Sequence, residues 1–226
     1  MAADGPPRAV PPRDCRLCPR LVAYREENRR RHPRWHNAPV PSFGDPSAAL
    51  LIVGLAPGVA GANRTGRPFT GDYAGEILYP ALLRHGFARG RYEARPDDGL
   101  ELVDCRITNA VRCVPPRNRP TGEEITTCRR YLLDELLVPP RPRLVLSLGR
   151  IAHDSVLRAF GCRLRDFPFA HDVAYRLEDG TRLVSSYHCS RYNVNTGRLT
   201  EAMFEAVMRR VSELLGGAPA RRPAGA

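Results

Sequence analysis

The sequence predicts a three-layer α/β/α domain built on a central four-stranded parallel sheet, and two observations carry that prediction. Short unbroken apolar runs alternate with longer stretches of helical periodicity, and each run ends in a turn of glycine, polar or histidine residues. Strands buried on both faces read as continuous apolar runs, and strands alternating with helices close into a parallel sheet through right-handed crossovers.

The strands are expected at 48–53, 102–108, 144–148 and 183–186, and the helices at 71–84, 121–137, 150–160 and 200–215. Thr121 and Glu124 stand at the spacing of a capping box, in which side chain and backbone satisfy each other at a helix start. The segments 1–13 and 216–226, rich in Pro, Ala, Gly and Arg, hold too little apolar surface to order themselves. They are expected to be flexible arms around a single domain spanning 14–215, since 226 residues suit one core.

The formal net charge is +11, so a polyanion is the expected partner, and nucleic acid is the commonest large one. All 35 basic residues are arginine. Absence of lysine excludes a lysine-bearing phosphate loop and any catalyst that forms a Schiff base through a lysine amine. No apolar run of about 18 residues is present, so no membrane partner is expected. The N-terminus has no signal-like apolar stretch, and a cytoplasmic location is expected.

Open parallel sheets bind ligands at the carboxyl ends of their strands. Three loops rich in polar residues or glycine fall there: Gly54-Leu55-Ala56-Pro57-Gly58 after the first strand, Asn109 after the second, and Tyr187-His188-Cys189-Ser190 after the fourth. Phe69 offers a face on which a base can stack, and Asn109 carries both a donor and an acceptor for a base edge. Asp72, in a Thr-Gly-Asp turn before a helix, suits a helix cap or a catalytic carboxylate. His188 suits a donor to an atom that gains negative charge.

Cys15 and Cys18 form a C-x2-C pair, and Cys113 and Cys128 stand with fourteen residues between them. Four thiolates suit zinc or a [4Fe-4S] cluster, and the spacing leaves both open.

Gly54-Leu55-Ala56-Pro57, followed by Asn63-Arg64-Thr65-Gly66-Arg67-Pro68-Phe69-Thr70-Gly71-Asp72, resembles the first motif of the type 5 uracil-DNA glycosylases. His188 with Ser190, Asn193, Asn195, Thr196, Gly197 and Arg198 is similar to that group's second motif, although Cys189 stands where proline is often found. With the cysteines, the resemblance runs over about 15–215. The type 4 group usually carries Glu-Ala-Pro-Gly at the first motif and lacks the Arg-Thr-Gly-Arg run, so the wording favours type 5.

The resemblance implies a uracil-DNA glycosylase-like fold and a repair enzyme that hydrolyses the N-glycosidic bond of uracil, and of deaminated bases such as hypoxanthine and xanthine. Its expected substrates are double- and single-stranded DNA, met as a monomer associated with the nucleoid. Without lysine it would use water and leave the strand uncut. It implies catalytic roles for Asp72, toward the water or the cationic sugar, and His188, toward a base oxygen. Gly54, Ala56, Pro57, Phe69 and Asn109 would line the base pocket, with Ala56 standing where other glycosylases place a polar activating side chain. Arg64, Arg67, Arg191, Tyr192, Asn193 and Arg198 would meet DNA, Tyr192 as the wedge left in place of the extruded nucleotide. The resemblance also favours a [4Fe-4S] cluster over zinc on Cys15, Cys18, Cys113 and Cys128. Two other readings stand beside it: a type 4 enzyme confined to uracil, and a non-catalytic nucleic-acid-binding protein scaffolded by the metal centre.

Overall fold

The structure is a computed structural model and describes residues 10–216. The expected arms at 1–13 and 216–226 lie outside the described residues, apart from 10–13 and 216. Along the chain run α1 (Pro19–Arg31), β1 (Phe43–Gly44), β2 (Leu50–Gly54), α2 (Ala62–Thr65), α3 (Tyr73–Arg84), β3 (Ala88–Arg89), β4 (Glu101–Leu102) and β5 (Cys105–Asn109). There follow α4 (Gly122–Leu137), β6 (Leu144–Leu148), α5 (Arg150–Ala159), β7 (Val173–Arg176), β8 (Arg182–Ser186), α6 (Arg191–Asn195) and α7 (Glu201–Leu215).

The main sheet has the order β1-β5-β2-β6-β8-β7. Its four central strands are parallel and are the four that the sequence predicts. The sheet is wider than expected, because β1 and β7 add short antiparallel edges. Alternation across the pleat sorts β2 between two layers. Leu50 and Ile52 pack in a cluster with Leu78, Leu82, Phe204 and Val207 of α3 and α7. Leu51 and Val53 pack with Leu132, Leu136, Val156 and Leu157 of α4 and α5. Each such burial contributes roughly 1.5–3 kcal/mol, so both faces of the sheet are tied down where the site's loops leave it.

The start of the second strand and the first helix differ from expectation for local reasons. The second strand begins only at Cys105, because Asp104 has φ of 46° and breaks the run. Its carboxylate accepts the Ala49 amide at 2.6 Å, while Glu101–Leu102 leaves to pair with Ala88–Arg89. The helix α1 was not anticipated. It docks on α4 through Arg20, whose guanidinium donates to both oxygens of Glu124 at 2.8 and 2.7 Å. Thr121 and Glu124 form the expected capping box. No helix among the described residues is long and apolar enough to cross a membrane.

Candidate active site

The base-binding candidates meet where β2 and β5 end side by side, with Gly54 paired to Asn109. A side chain at Gly54 would place its Cβ 2.4 Å from Asn109 Oδ1 and 2.5 Å from Phe69 Cζ. Glycine is therefore what lets the Asn109 amide and the Phe69 ring converge. Phe69 is 6% exposed, carries a left-handed φ of 52°, and stacks toward His188 with ring centroids 5.9 Å apart. Pro57 is buried, and Ala56 is half-buried against the cluster that holds Cys18, Cys113 and Cys128.

Asp72, a candidate site residue, is a helix cap: it accepts the Gly75 amide at 3.3 Å at the start of α3. Its other oxygen faces Gly58 and Gly61, where an added Cβ would lie 3.1 and 2.3 Å away. Burial raises its pKa above the ordinary carboxylate value, against the lowering effect of the Gly75 and Ala74 amides. Burial pushes His188 down to about 4, so its imidazole is neutral at neutral pH and keeps one N–H to donate. The Asn193 amide donates to the His188 carbonyl at 2.8 Å and so fixes the loop that carries it. Cys189 is buried, and the Asp72 charge adds to the burial that raises its pKa, which makes the carboxylate and the histidine loop neighbours.

A cavity of about 360 Å³ opens beside His188, lined also by Leu55, Gly149, Arg150, Phe169, Tyr187, Asn193 and Arg198. Phe69, Asn109 and Asp72 do not line it. The first two are buried where they pack on Gly54, and His188, stacked toward Phe69, stands between them and the cavity lining.

The arginines divide into two kinds. Arg191 lies over the Tyr73 ring at 5.4 Å and Arg198 over the Tyr187 ring at 4.6 Å. Arg150 lies over Phe169 at 5.1 Å in the same way and lines the cavity beside His188, a candidate the sequence did not single out; its signal was its place just after the third strand. All three are exposed, and none forms an ion pair with a carboxylate among the described residues. Arg64 is also exposed, with Nε donating to the Ala60 carbonyl at 2.8 Å. Arg67 is a correction. It is 5% exposed, and both terminal nitrogens are bound to Asp98 at 2.8 and 2.7 Å, so it is not a surface phosphate contact. Tyr192 protrudes from α6 at 72% exposure, and Asn193 beside it is turned inward onto His188.

The four predicted cysteines line one crevice between α1 and α4, with Leu21, Arg25, Arg112 and Tyr131. The Arg112 amide donates to Cys128 Sγ at 3.3 Å, and Arg25 Nη1 stands 3.9 Å from Cys113 Sγ. The Nε atoms of Arg25 and Arg112 are buried without a hydrogen-bond partner. Burial raises the pKa of Cys18 to about 11 and of Cys113 to about 12, with mutual repulsion among the thiols adding to it. Among the described residues no three His, Cys, Asp or Glu side chains converge on a single ion.

The α/β/α fold brings an amide, an aromatic ring and an imidazole together at the carboxyl ends of its parallel sheet, with a half-buried carboxylate at the start of α3. The chain belongs to the Uracil DNA glycosylase superfamily, whose family model matches residues 41–212. It is 49% identical to the type-5 uracil-DNA glycosylase of Thermus thermophilus, over 89% of this chain and 94% of the relative. It is 43% identical to that of Pyrobaculum aerophilum, over 88% of each. A type-4 uracil-DNA glycosylase of the latter organism is 36% identical over 67% of this chain and 63% of the relative.

Proposed function

We propose that this protein excises uracil, and also hypoxanthine and xanthine, from DNA by hydrolysis alone, as a monomer on double- and single-stranded substrates. The observation that carries the reading is the convergence of Asn109 and Phe69 on Gly54 beside a neutral His188. A base extruded from the helix meets there a stacking face, an amide that can donate to and accept from its edge, and an N–H for its carbonyl. Similarity to type-5 enzymes over nearly their whole length supports the same reading.

Chemically, the bond from C1′ to the base nitrogen breaks and its electron pair leaves with the base. A neutral imidazole suits the developing negative charge on the base oxygen, because it donates a hydrogen bond without first needing a proton from solvent. Asp72 as carboxylate stabilises the cationic sugar and takes the proton of the water whose oxygen bonds to C1′; its raised pKa makes it a better base than an exposed aspartate. With no lysine in the chain, the abasic product has no Schiff-base partner among the side chains and the strand stays intact. Arg150, Arg191 and Arg198, backed by rings rather than carboxylates, are suited to phosphates around the cleft, and Tyr192 to the gap left in the duplex.

Cys15, Cys18, Cys113 and Cys128 would hold a [4Fe-4S] cluster. The four thiols line one crevice, and similarity to the type-5 enzymes favours the cluster over zinc. The buried Arg25 and Arg112 and the amide of Arg112 suit an anionic thiolate set. The cluster would act as a structural staple joining α1 to α4. Purified protein should be brown with about four irons per chain; a colourless zinc protein would remove the cluster.

The test is release of free base from labelled duplexes carrying uracil, hypoxanthine or xanthine. Release of all three is expected. Uracil alone would narrow the activity to the type-4 pattern, and DNA binding without release would leave only a non-catalytic scaffold.

A further inference from the structure

We propose that Arg67 and Asp98 are positioning residues for the base site: the pair locks the 67–70 turn in the conformation that presents the Phe69 ring toward His188. The proposal rests on the base-excising reading above and concerns how that site is held.

Phe69 has a left-handed backbone, which a residue with a Cβ keeps only when its surroundings impose it. The surroundings here are specific. The hydroxyl of Tyr79 donates to the Pro68 carbonyl at 2.6 Å, and that of Tyr92 to the Phe69 carbonyl at 3.3 Å. The Thr65 hydroxyl lies 3.0 Å from the Thr70 carbonyl, and Arg67 Nε donates to Thr70 Oγ1 at 2.8 Å. Each residue of the turn is therefore held by a polar contact.

Arg67 joins these contacts into one unit. Its guanidinium lies 5.2, 5.3 and 5.9 Å from the ring centroids of Phe43, Tyr79 and Tyr92, so it sets the two tyrosines whose hydroxyls hold the turn. Asp98, whose side chain has no solvent exposure, fixes the guanidinium in turn: its two oxygens accept both terminal nitrogens and the backbone amides of Glu93 and Leu100 at 2.9 and 3.1 Å. A bidentate fork of this kind fixes orientation as well as charge, which a lysine could not do. The chain thus runs from Asp98 through Arg67 and two tyrosines to the carbonyls that set Phe69. An arginine that reads in sequence as a phosphate contact is instead the internal brace of the stacking residue.

The test is a double-mutant cycle on the full chain. Single-turnover uracil release is measured for wild type, Asp98→Asn, Phe69→Ala and the double variant, together with affinity for a duplex already carrying an abasic site. Asp98→Asn should slow release about tenfold in the wild-type background but no more than about twofold when Phe69 is absent, because the brace then has nothing to position. Abasic-site affinity should be unchanged. Arg67→Lys keeps the charge and loses the fork, and should give the same pattern if Asp98→Asn does not fold. An equal loss in both backgrounds, or full-speed release by Asp98→Asn and Arg67→Lys, would overturn the proposal. Amide hydrogen exchange over 67–72 separates the two ideas: faster exchange in Asp98→Asn supports the brace even if wild type releases no uracil, and unchanged exchange overturns it.

Discussion

Replacing Gly54 by alanine adds one methyl group to the best-defined part of the site. Its carbon would lie 2.4 Å from Asn109 Oδ1 and 2.5 Å from Phe69 Cζ, with a second Phe69 ring carbon at 2.8 Å. Ordinary contacts to carbon begin near about 3.5 Å, so the amide and the ring must each withdraw by about 1 Å. Neither has space to do so cheaply: Asn109 ends a central strand and Phe69 sits on a turn held at each residue. A displacement of about 1 Å at a positioning group costs on the order of a hundredfold in rate, and overpacking costs about 1–3 kcal/mol of stability. Gly54→Ala should therefore remain folded, bind an abasic duplex normally, and release uracil about a hundredfold more slowly in a single-turnover assay. Release within about twofold of wild type would show that the Gly54 contact does not define the base site.

Three further outcomes follow from the same geometry. Asp72→Asn preserves an acceptor for the α3 cap and should keep the fold and DNA affinity while losing most turnover, measured as kcat against abasic-duplex binding; undiminished kcat would remove the carboxylate from the reaction. His188→Ala should slow release by about 10²–10³ without weakening abasic-duplex binding, and equal rates would refute its donor role. Activity should fall only on the acid side: His188 charges below about 4 and Asp72 loses its negative charge as pH drops through its raised pKa. A falling limb between about pH 6 and 8 that disappears in His188→Ala would contradict the neutral imidazole.

Because the folded pKa of His188 lies below its ordinary 6.5, the unfolded chain takes up that proton first. Stability from this residue is therefore intact above about 6.5 and declines as pH falls toward about 4.

The four central strands were legible because both their faces are covered, which leaves an unbroken apolar signature. The edge strands were not: β1 has only two residues, and the half-buried alternation of β7 is too short to stand out. Helix α1 was hidden because its sequence is dominated by charge, with only Leu21, Arg25 and Asn28 buried. Asn109 and His188 were singled out as strand-exit residues, and Phe69 and Asp72 by the first motif, in the loop before α3. Arg67 was misread because its partner Asp98 stands 31 residues away, and nothing local distinguishes a buried guanidinium from a solvated one. Arg150 was overlooked because the third strand exit carries no motif, and its aromatic support, Phe169, arrives from another loop.

The most direct test of the account is a crystal structure with duplex DNA carrying a 2′-fluorinated deoxyuridine, whose glycosidic bond resists cleavage. The extruded uracil should rest on the Phe69 face, with its edge on the Asn109 amide, a carbonyl at His188 and the Asp72 carboxylate on the sugar side. A uracil seated elsewhere, or out of reach of both His188 and Asp72, would contradict it.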